Sequence, residues 1–255
     1  MWAFAARLAE LERFGTPAAL VTVTKVDGSV PREVGAKMIV LPGGAFEGTI
    51  GGGHLERLVQ NDAEACIESG ESKTLRYPLG PSAGQCCGGV VEVFVDVLQT
   101  GPTLLLFGAG HVGRAVVRVM TGTAFRVHVV DERPEWIDSS EIPTTVIRHK
   151  GPWDEVASTL PWNAKKTYVA VMTHRHDLDQ EIVRWVLDRP HAYLGLIGSR
   201  TKWAKFRARL LERGVTHAQL DTVRCPIGLD VGGKAPAEVA VSVAAELLRL
   251  HHKRA

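Results

Sequence analysis

Thr103–Phe107 (TLLLF) runs straight into Gly108-Ala109-Gly110-His111-Val112-Gly113, and this junction decides the fold. A short, fully apolar run is typical of a strand buried on both faces. The residues after it match Gly-x-Gly-x-x-Gly, and His111–Thr121 reads as a helix. The pattern is weak in isolation, but a strand before it and a helix after it are the context it requires. The first glycine allows a tight turn, the second lets a phosphate approach the backbone, and the third lets helix pack closely on strand. Free N–H groups at the helix start favour an anion. Asp131 follows at the end of the next strand, Arg126–Val130 (RVHVV), where an acidic residue can hold a ribose hydroxyl or another diol-like group. Glu132-Arg133 beside it leave the choice between NAD and NADP open. A bare strand–helix turn without ligand is the alternative reading.

Working outward, apolar runs recur at Thr167–Met172 (TYVAVM) and Tyr193–Ile197 (YLGLI). Helical segments are expected at Asp179–Leu187, Lys202–Arg213 and Ala237–Leu250. Strands alternating with helices argue for a parallel, doubly wound, Rossmann-like sheet. Gly101-Pro102 is a candidate linker, and the pattern before it differs. There, residues 1–14 read as an amphipathic helix and Ala18–Val26, Lys37–Leu41 and Val90–Leu98 as strands, with a helix over His54–Ser69. The expected fold class is α/β: a Rossmann-like domain over 101–255, preceded by a smaller α+β domain over 1–100.

The 255 residues suit one large domain or two modest ones. With 45% hydrophobic and 23% charged residues, the chain is globular rather than disordered. Lys+Arg number 30 against 28 Asp+Glu, and a net charge of +2 gives no footprint for nucleic acid. Arg7, Glu10, Glu12 and Arg13 interrupt the N-terminal stretch, so no signal peptide is read there. No window reaches the ~18 apolar residues of a membrane span. No membrane association and a cytoplasmic location are therefore expected. Four cysteines without a Cys-x-x-Cys pair make neither a disulfide framework nor a zinc site, and no bound metal is expected.

Gly84-Gln85-Cys86-Cys87-Gly88-Gly89 sets two adjacent thiols between glycines, where a ligand can reach both backbone and sulfur. Thiolates suit a soft metal or sulfur transfer, and two small packed residues beside a turn are the plainer alternative. Cys66 and Cys225 are assigned to packing. A second glycine run, Gly48–Gly53, enters the helix carrying His54 and Glu56 and can form another anion-binding concavity. Thr173–Asp179 (THRHDLD) follows a strand at the sheet's C-terminal end, where open α/β sheets bind ligands. His174 and His176 there can face a ligand, pair on a metal or hydrogen-bond locally, while Asp177 or Asp179 can cap the next helix. At Gly198-Ser199-Arg200, Ser199 fits a helix cap and Arg200 can reach a phosphate. Pro226–Gly233 is a further glycine-rich loop, with Pro236 at a first helical position.

Together these residues resemble the XdhC/CoxI family of xanthine dehydrogenase accessory proteins. The resemblance rests on Gly28–Arg32 (GSVPR), Gly48–Glu56 (GTIGGGHLE), Gly84–Gly89 (GQCCGG), Phe107–Gly113 (FGAGHVG), Thr173–Asp179, Leu196–Arg200 (LIGSR) and Pro226–Gly232 (PIGLDVG). Their number and order run over nearly the whole chain. The double cysteine looks like the xanthine dehydrogenase branch rather than the carbon monoxide dehydrogenase branch. Ala237 stands where a second acidic residue is common, and Arg224-Cys225 lie where members vary.

The resemblance implies a non-catalytic binding and delivery role. Such proteins bind molybdenum cofactor (molybdopterin), support its sulfuration by a cysteine desulfurase and pass it to the xanthine dehydrogenase apoenzyme, in purine catabolism. Cofactor-binding positions would then be Cys86, Cys87, Gly108, Gly110, His111, Gly113, Asp131, His174 and Arg200. The site is expected where the two glycine-rich systems meet, and a homodimer is compatible. Two rival readings use the same residues. One is an NAD(P)-dependent oxidoreductase built on the Gly108–Gly113 turn. The other is a redox sensor built on a Cys86–Cys87 disulfide.

Overall fold

The computed structural model describes residues 2–79, 88–98, 101–160 and 162–254. The chain divides into two compact units, Met1–Thr100 and Gly101–Ala255.

In the first unit, α1 (Trp2–Phe14) leads into β1 (Ala18–Asp27), β2 (Lys37–Val40) and β3 (Phe46–Gly48). Then come α2 (Gly53–Ser69), β4 (Lys73–Pro78) and β5 (Val90–Leu98). The strands form an antiparallel five-stranded sheet ordered β3-β2-β1-β5-β4. Alternation decides its faces. Val21 and Val23 of β1 and Val91, Val93 and Val95 of β5 point to a buried face, closed by Leu55, Val59 and Ala63 of α2. On the other side, Leu11 of α1 packs with Ala18 and Ile39.

The second unit is the doubly wound domain. It contains β6 (Thr103–Phe107), α3 (His111–Met120), β7 (Arg126–Asp131), α4 (Pro134–Ile137), β8 (Ile147–Lys150) and α5 (Trp153–Thr159). It continues with β9 (Thr167–Val171), α6 (His176–Leu187), β10 (Tyr193–Leu196), α7 (Arg200–Glu212), α8 (His217–Asp221), β11 (Val223–Arg224) and α9 (Pro236–Arg254). The six strands are parallel and ordered β11-β10-β9-β6-β7-β8. This is the Rossmann order, in which the chain leaves β6 toward one edge, then crosses back to β9. Ligands of such sheets sit at that switch point, outside the carboxyl ends of the strands.

Leu104–Phe107 is apolar throughout because it feeds two cores. Leu104 and Leu106 pack with Val116, Val117 and Met120 of α3 and Val243 and Leu247 of α9. Leu105 and Phe107 pack with Ile182, Val183 and Val186 of α6 and with Phe206 and Leu210 of α7. The mixed α/β architecture read from the sequence is the one found, with a parallel sheet C-terminally and an antiparallel sheet before it. Among the described residues no helix is long and apolar enough to cross a membrane.

Candidate functional site

The turn between β6 and α3 is built by close approach. Gly108 has φ +110°, and a Cβ there would fall on the Met172 carbonyl oxygen. A Cβ on Gly113 would collide with the carbonyl oxygen of Gly108. Gly110, the N-cap of α3, differs: a Cβ there would meet nothing within 4 Å, and no side chain caps the helix. The first and third glycines are thus needed by the fold, and the second leaves open space over a helix N-terminus. Gly113→Ala is accordingly expected to destabilise the second unit by about 1–3 kcal/mol through overpacking, read as a lowered melting temperature.

Asp131 stands beside this turn but is engaged by the protein itself. Its Oδ2 accepts from the Ala109 amide and from Arg133 Nη2, both at 2.7 Å. Its Oδ1 accepts from the Arg133 amide at 3.1 Å and from Arg133 Nε at 2.8 Å. Burial raises the carboxyl's pKa, but the Arg133 fork and the two backbone amides outweigh it and hold the group below its ordinary value. The residue expected to hold a ribose or diol therefore fastens the glycine turn to β7, with Arg133 laid over it. Arg133 in turn lies 5.2 Å from the Trp136 ring centre, which Arg114 approaches at 4.8 Å and the His111 ring at 5.0 Å, edge to face. His111 is exposed at the start of α3.

A small open cleft lies over the switch point, with Gly108, Asp131, Trp153 and His174 on its walls. Its far side is fixed by Asp179, which is fully buried. Asp179 Oδ1 accepts from the Thr173 amide at 2.9 Å and the Thr173 hydroxyl at 2.7 Å, and Oδ2 pairs with Lys202 Nζ at 2.7 Å. Asp179 therefore ties the loop after β9 from within α6 rather than capping it, the N-cap being Arg175. His174 and His176 do not share a site. His174 faces the cleft, whereas His176 opens α6 and sets its ring edge to Phe206 at 6.4 Å. Among the described residues, no group of three or more His, Cys, Asp or Glu side chains is placed to hold a metal ion.

A broader hollow opens past α3, lined by Arg200, Lys234 and residues 226–233. Ser199 caps α7 by accepting from the Lys202 amide at 3.1 Å, which leaves the exposed Arg200 side chain at the hollow. The 226–233 loop is pinned from α9. Glu246 accepts from the Gly228 amide at 2.8 Å and from the buried Tyr193 hydroxyl, whose pKa is raised by burial and by that carboxylate. Cys225 is half-buried, its thiol pushed up to about 11 by burial.

In the first unit the glycine run 48–53 already holds an anion. Glu56 Oε1 accepts from the Thr49 hydroxyl and, at 3.1 Å, from the Ile50 amide. Burial raises that carboxyl, and the Thr49 hydroxyl with the amides of Gly52, Ile50 and Gly51 brings it below its ordinary value. The concavity expected to bind an external anion is filled from within. A Cβ on Gly89 would meet the carbonyls of Asp27 and Ser29 at 2.5 Å, so the 28–32 motif rests against the start of β5. The Leu79 amide donates to the Gly89 carbonyl at 2.7 Å. Cys86 and Cys87 lie outside the described residues.

Lys202 and Glu246 were not singled out by the sequence, and Arg133 was named only as leaving the choice between NAD and NADP open. Arg133 had a usable signal, its spacing of two from Asp131 in an extended segment. Lys202 and Glu246 act across elements and had none.

A family model described as the XdhC Rossmann domain matches residues 104–247, and one described as the XdhC and CoxI family matches residues 11–78. The chain belongs to the XdhC/CoxI family. Among curated relatives it is 30% identical to the uncharacterized protein YqeB of Escherichia coli K12, over 95% of this chain and 45% of that protein. It is 29% identical to a probable xanthine dehydrogenase subunit of Bacillus subtilis 168, over 62% of this chain and 46% of that one. It is 24% identical to the molybdenum cofactor insertion chaperone PaoD of E. coli K12, over 94% and 86% respectively. The chain thus spans about half the length of the first two. A crystal structure described as a xanthine dehydrogenase from Bacillus halodurans shares the fold, with a TM-score of 0.53 at 20% identity, covering 98% of this chain and 96% of that one. In this XdhC/CoxI chain, the Rossmann match takes in the whole turn, Asp131, the Asp179–Lys202 pair and Glu246.

Proposed function

We propose that this XdhC/CoxI protein is an accessory factor of molybdenum-enzyme maturation, which binds molybdenum cofactor and delivers it to a xanthine dehydrogenase apoenzyme. The observation that carries the reading is the asymmetry of the glycine turn. Its Gly110 side is open and uncapped, while the neighbouring carboxylate is fully engaged. Such a turn suits a phosphate tail better than the ribose of a dinucleotide. Molybdenum cofactor is a pterin dithiolene with a terminal phosphate, and Gly108, Gly110 and Gly113 fit that end. His111 is exposed at the start of α3, His174 on the wall of the cleft and Arg200 at the broader hollow. When bound, the cofactor supplies a molybdenum centre with an exchangeable sulfur. The chain's residues hold the phosphate, orient the ring and shield it from water. Cys86 and Cys87, flanked by glycines, are the thiols suited to the metal end.

The likeness to a cofactor insertion chaperone and to a probable component of a xanthine dehydrogenase supports this assignment. Sulfuration by a cysteine desulfurase, a homodimeric state, a cytoplasmic location and a place in purine catabolism complete the proposal. No catalytic residue is assigned. An NAD(P)-dependent oxidoreductase remains the second reading, because it uses the same turn.

Native mass spectrometry of the whole chain, separately with purified molybdenum cofactor and with NAD(H), tests the two. A stoichiometric adduct with the molybdenum cofactor alone is expected, and one with NAD(H) alone overturns the proposal. Gly110→Val is expected to weaken cofactor binding at least ~10-fold, about 1.4 kcal/mol. Its melting temperature should be nearly unchanged, because a Cβ there meets nothing within 4 Å. Unaltered affinity would place the phosphate elsewhere.

A further inference from the structure

Arg133 makes every contact that a ribose would otherwise make with Asp131. A carboxylate offers about four acceptor positions. At Asp131, Arg133 fills three of them, through its amide at 3.1 Å, Nε at 2.8 Å and Nη2 at 2.7 Å, and the Ala109 amide fills the last at 2.7 Å. The pair is well shielded, with side-chain exposures of 20% for Arg133 and 4% for Asp131. The guanidinium is also held from its other side. It lies over Trp136, whose ring is fixed by Arg114 and His111. Arg133 is moreover the N-cap of α4, and its carbonyl accepts from the amides of Trp136 and Ile137, both at 3.1 Å. Backbone and side chain are thus both anchored.

We infer that Arg133 is a specificity determinant that keeps ribose-bearing dinucleotides out of this Rossmann site while leaving its phosphate turn open. The inference rests on reading Gly108–Gly113 as a phosphate cradle. A vicinal diol binds a carboxylate by donating two hydrogen bonds. Here it would have to displace a bidentate guanidinium, which is the stronger partner because its bonds are charge-assisted. The displaced Arg133 would lose its fork, and its charge would be left at a largely buried position beside Trp136. The space a phosphate would take at Gly110 is open and is not filled by Arg133. The structure thus separates two functions that a dinucleotide site combines, retaining the anion cradle and blocking the diol clamp. Removing the Arg133 side chain would free two acceptor positions, the number a diol uses, while the two backbone amides still orient the carboxylate.

The test is isothermal titration of the whole chain with NAD⁺ and NADP⁺. Wild type is expected to bind neither more tightly than ~1 mM. Arg133→Ala is expected to bind NAD⁺ at least ~10-fold more tightly, and Arg133→Ala with Asp131→Asn to lose that gain. A merely structural role for Arg133 would not produce a gain that depends on Asp131. Should Arg133→Ala fail to fold, Arg133→Met carries the same test, since it keeps an apolar stem against Trp136 and lacks the fork. Tight NAD⁺ or NADP⁺ binding by wild type overturns the inference, as does a folded Arg133 variant that gains nothing. Titration of wild type with molybdenum cofactor keeps the two claims apart. Cofactor binding without a gain in the Arg133 variants sinks only the exclusion, and absence of cofactor binding sinks the delivery role.

Discussion

Asp179→Ala is expected to lower the stability of the Rossmann unit by about 3–5 kcal/mol, the range seen when one partner of a buried ion pair is removed. The carboxylate is wholly buried and joins three segments: the Thr173 loop, α6 and α7. Without it the Lys202 ammonium, with only 12% of its side chain exposed, keeps the Ile197 carbonyl at 3.0 Å as its acceptor and loses its counter-charge. The Thr173 amide loses its partner too. The Lys202 stem lies against Gly198, in the place that a Cβ there would take. Urea unfolding followed by tryptophan fluorescence reads this unit, since every tryptophan except Trp2 lies in it. The midpoint should fall with the slope unchanged. A loss below ~1 kcal/mol would mean that the pair is not dry. Asp179→Leu with Lys202→Met should cost much less than Asp179→Ala alone, because replacing both charges removes the uncompensated ammonium. If it does, the pair positions the ends of β9 and β10 beside the cleft more than it adds stability.

How far the sequence carries depends on the kind of signal. TLLLF followed by three spaced glycines specifies a strand, a turn and a helix, and each glycine has a separate steric reason that spacing alone conveys. The main strands were equally legible, because burial on one or two faces leaves a period in the residues. The elements absent from the sequence reading are short or marginal. Lys73–Pro78 is an edge strand whose residues are mostly exposed, and Ile147–Lys150 is another edge strand carrying Arg148, His149 and Lys150. Neither leaves an apolar period. At the site, the positions of the glycines, His174 and Arg200 followed from strand ends. The polar partners did not. Whether Asp131 meets a ribose or an arginine, and whether Gly48–Gly53 holds a foreign anion or Glu56, is decided by side-chain contacts in space. Pairing His174 with His176 on one metal requires an extended segment that points both rings the same way, and α6 begins at His176.

The second large effect concerns acid. Stability of the Rossmann unit is expected to fall by up to about 3 kcal/mol between pH 6.5 and pH 4, through a buried histidine pair on neighbouring strands. His128 of β7 and His149 of β8 stack with ring centres 5.2 Å apart, and Nδ1 of the first lies 3.0 Å from Nε2 of the second. One ring must donate and the other accept, which requires at least one neutral ring. His128 is 4% exposed. Burial, then the charge that His149 would carry, then Arg126 push its pKa down to about 4, and burial lowers His149 as well. The sign follows from linkage. Unfolded histidine titrates near ~6.5, so below that pH the unfolded chain takes up protons that the folded chain refuses. Stability is complete above ~6.5 and is lost as pH falls toward the folded value, by about 1.36 kcal/mol for each pH unit of the gap. Asp131 and Glu56, both held low, lose their contribution only at more acidic pH, so the upper part of the window belongs to the histidines. His128→Gln keeps a hydrogen-bonding side chain and removes the titration. Urea midpoints measured from pH 7.5 down to 5 should decline in wild type and stay much flatter in this variant. Parallel curves would show that the pair is already charged or hydrated in the folded protein.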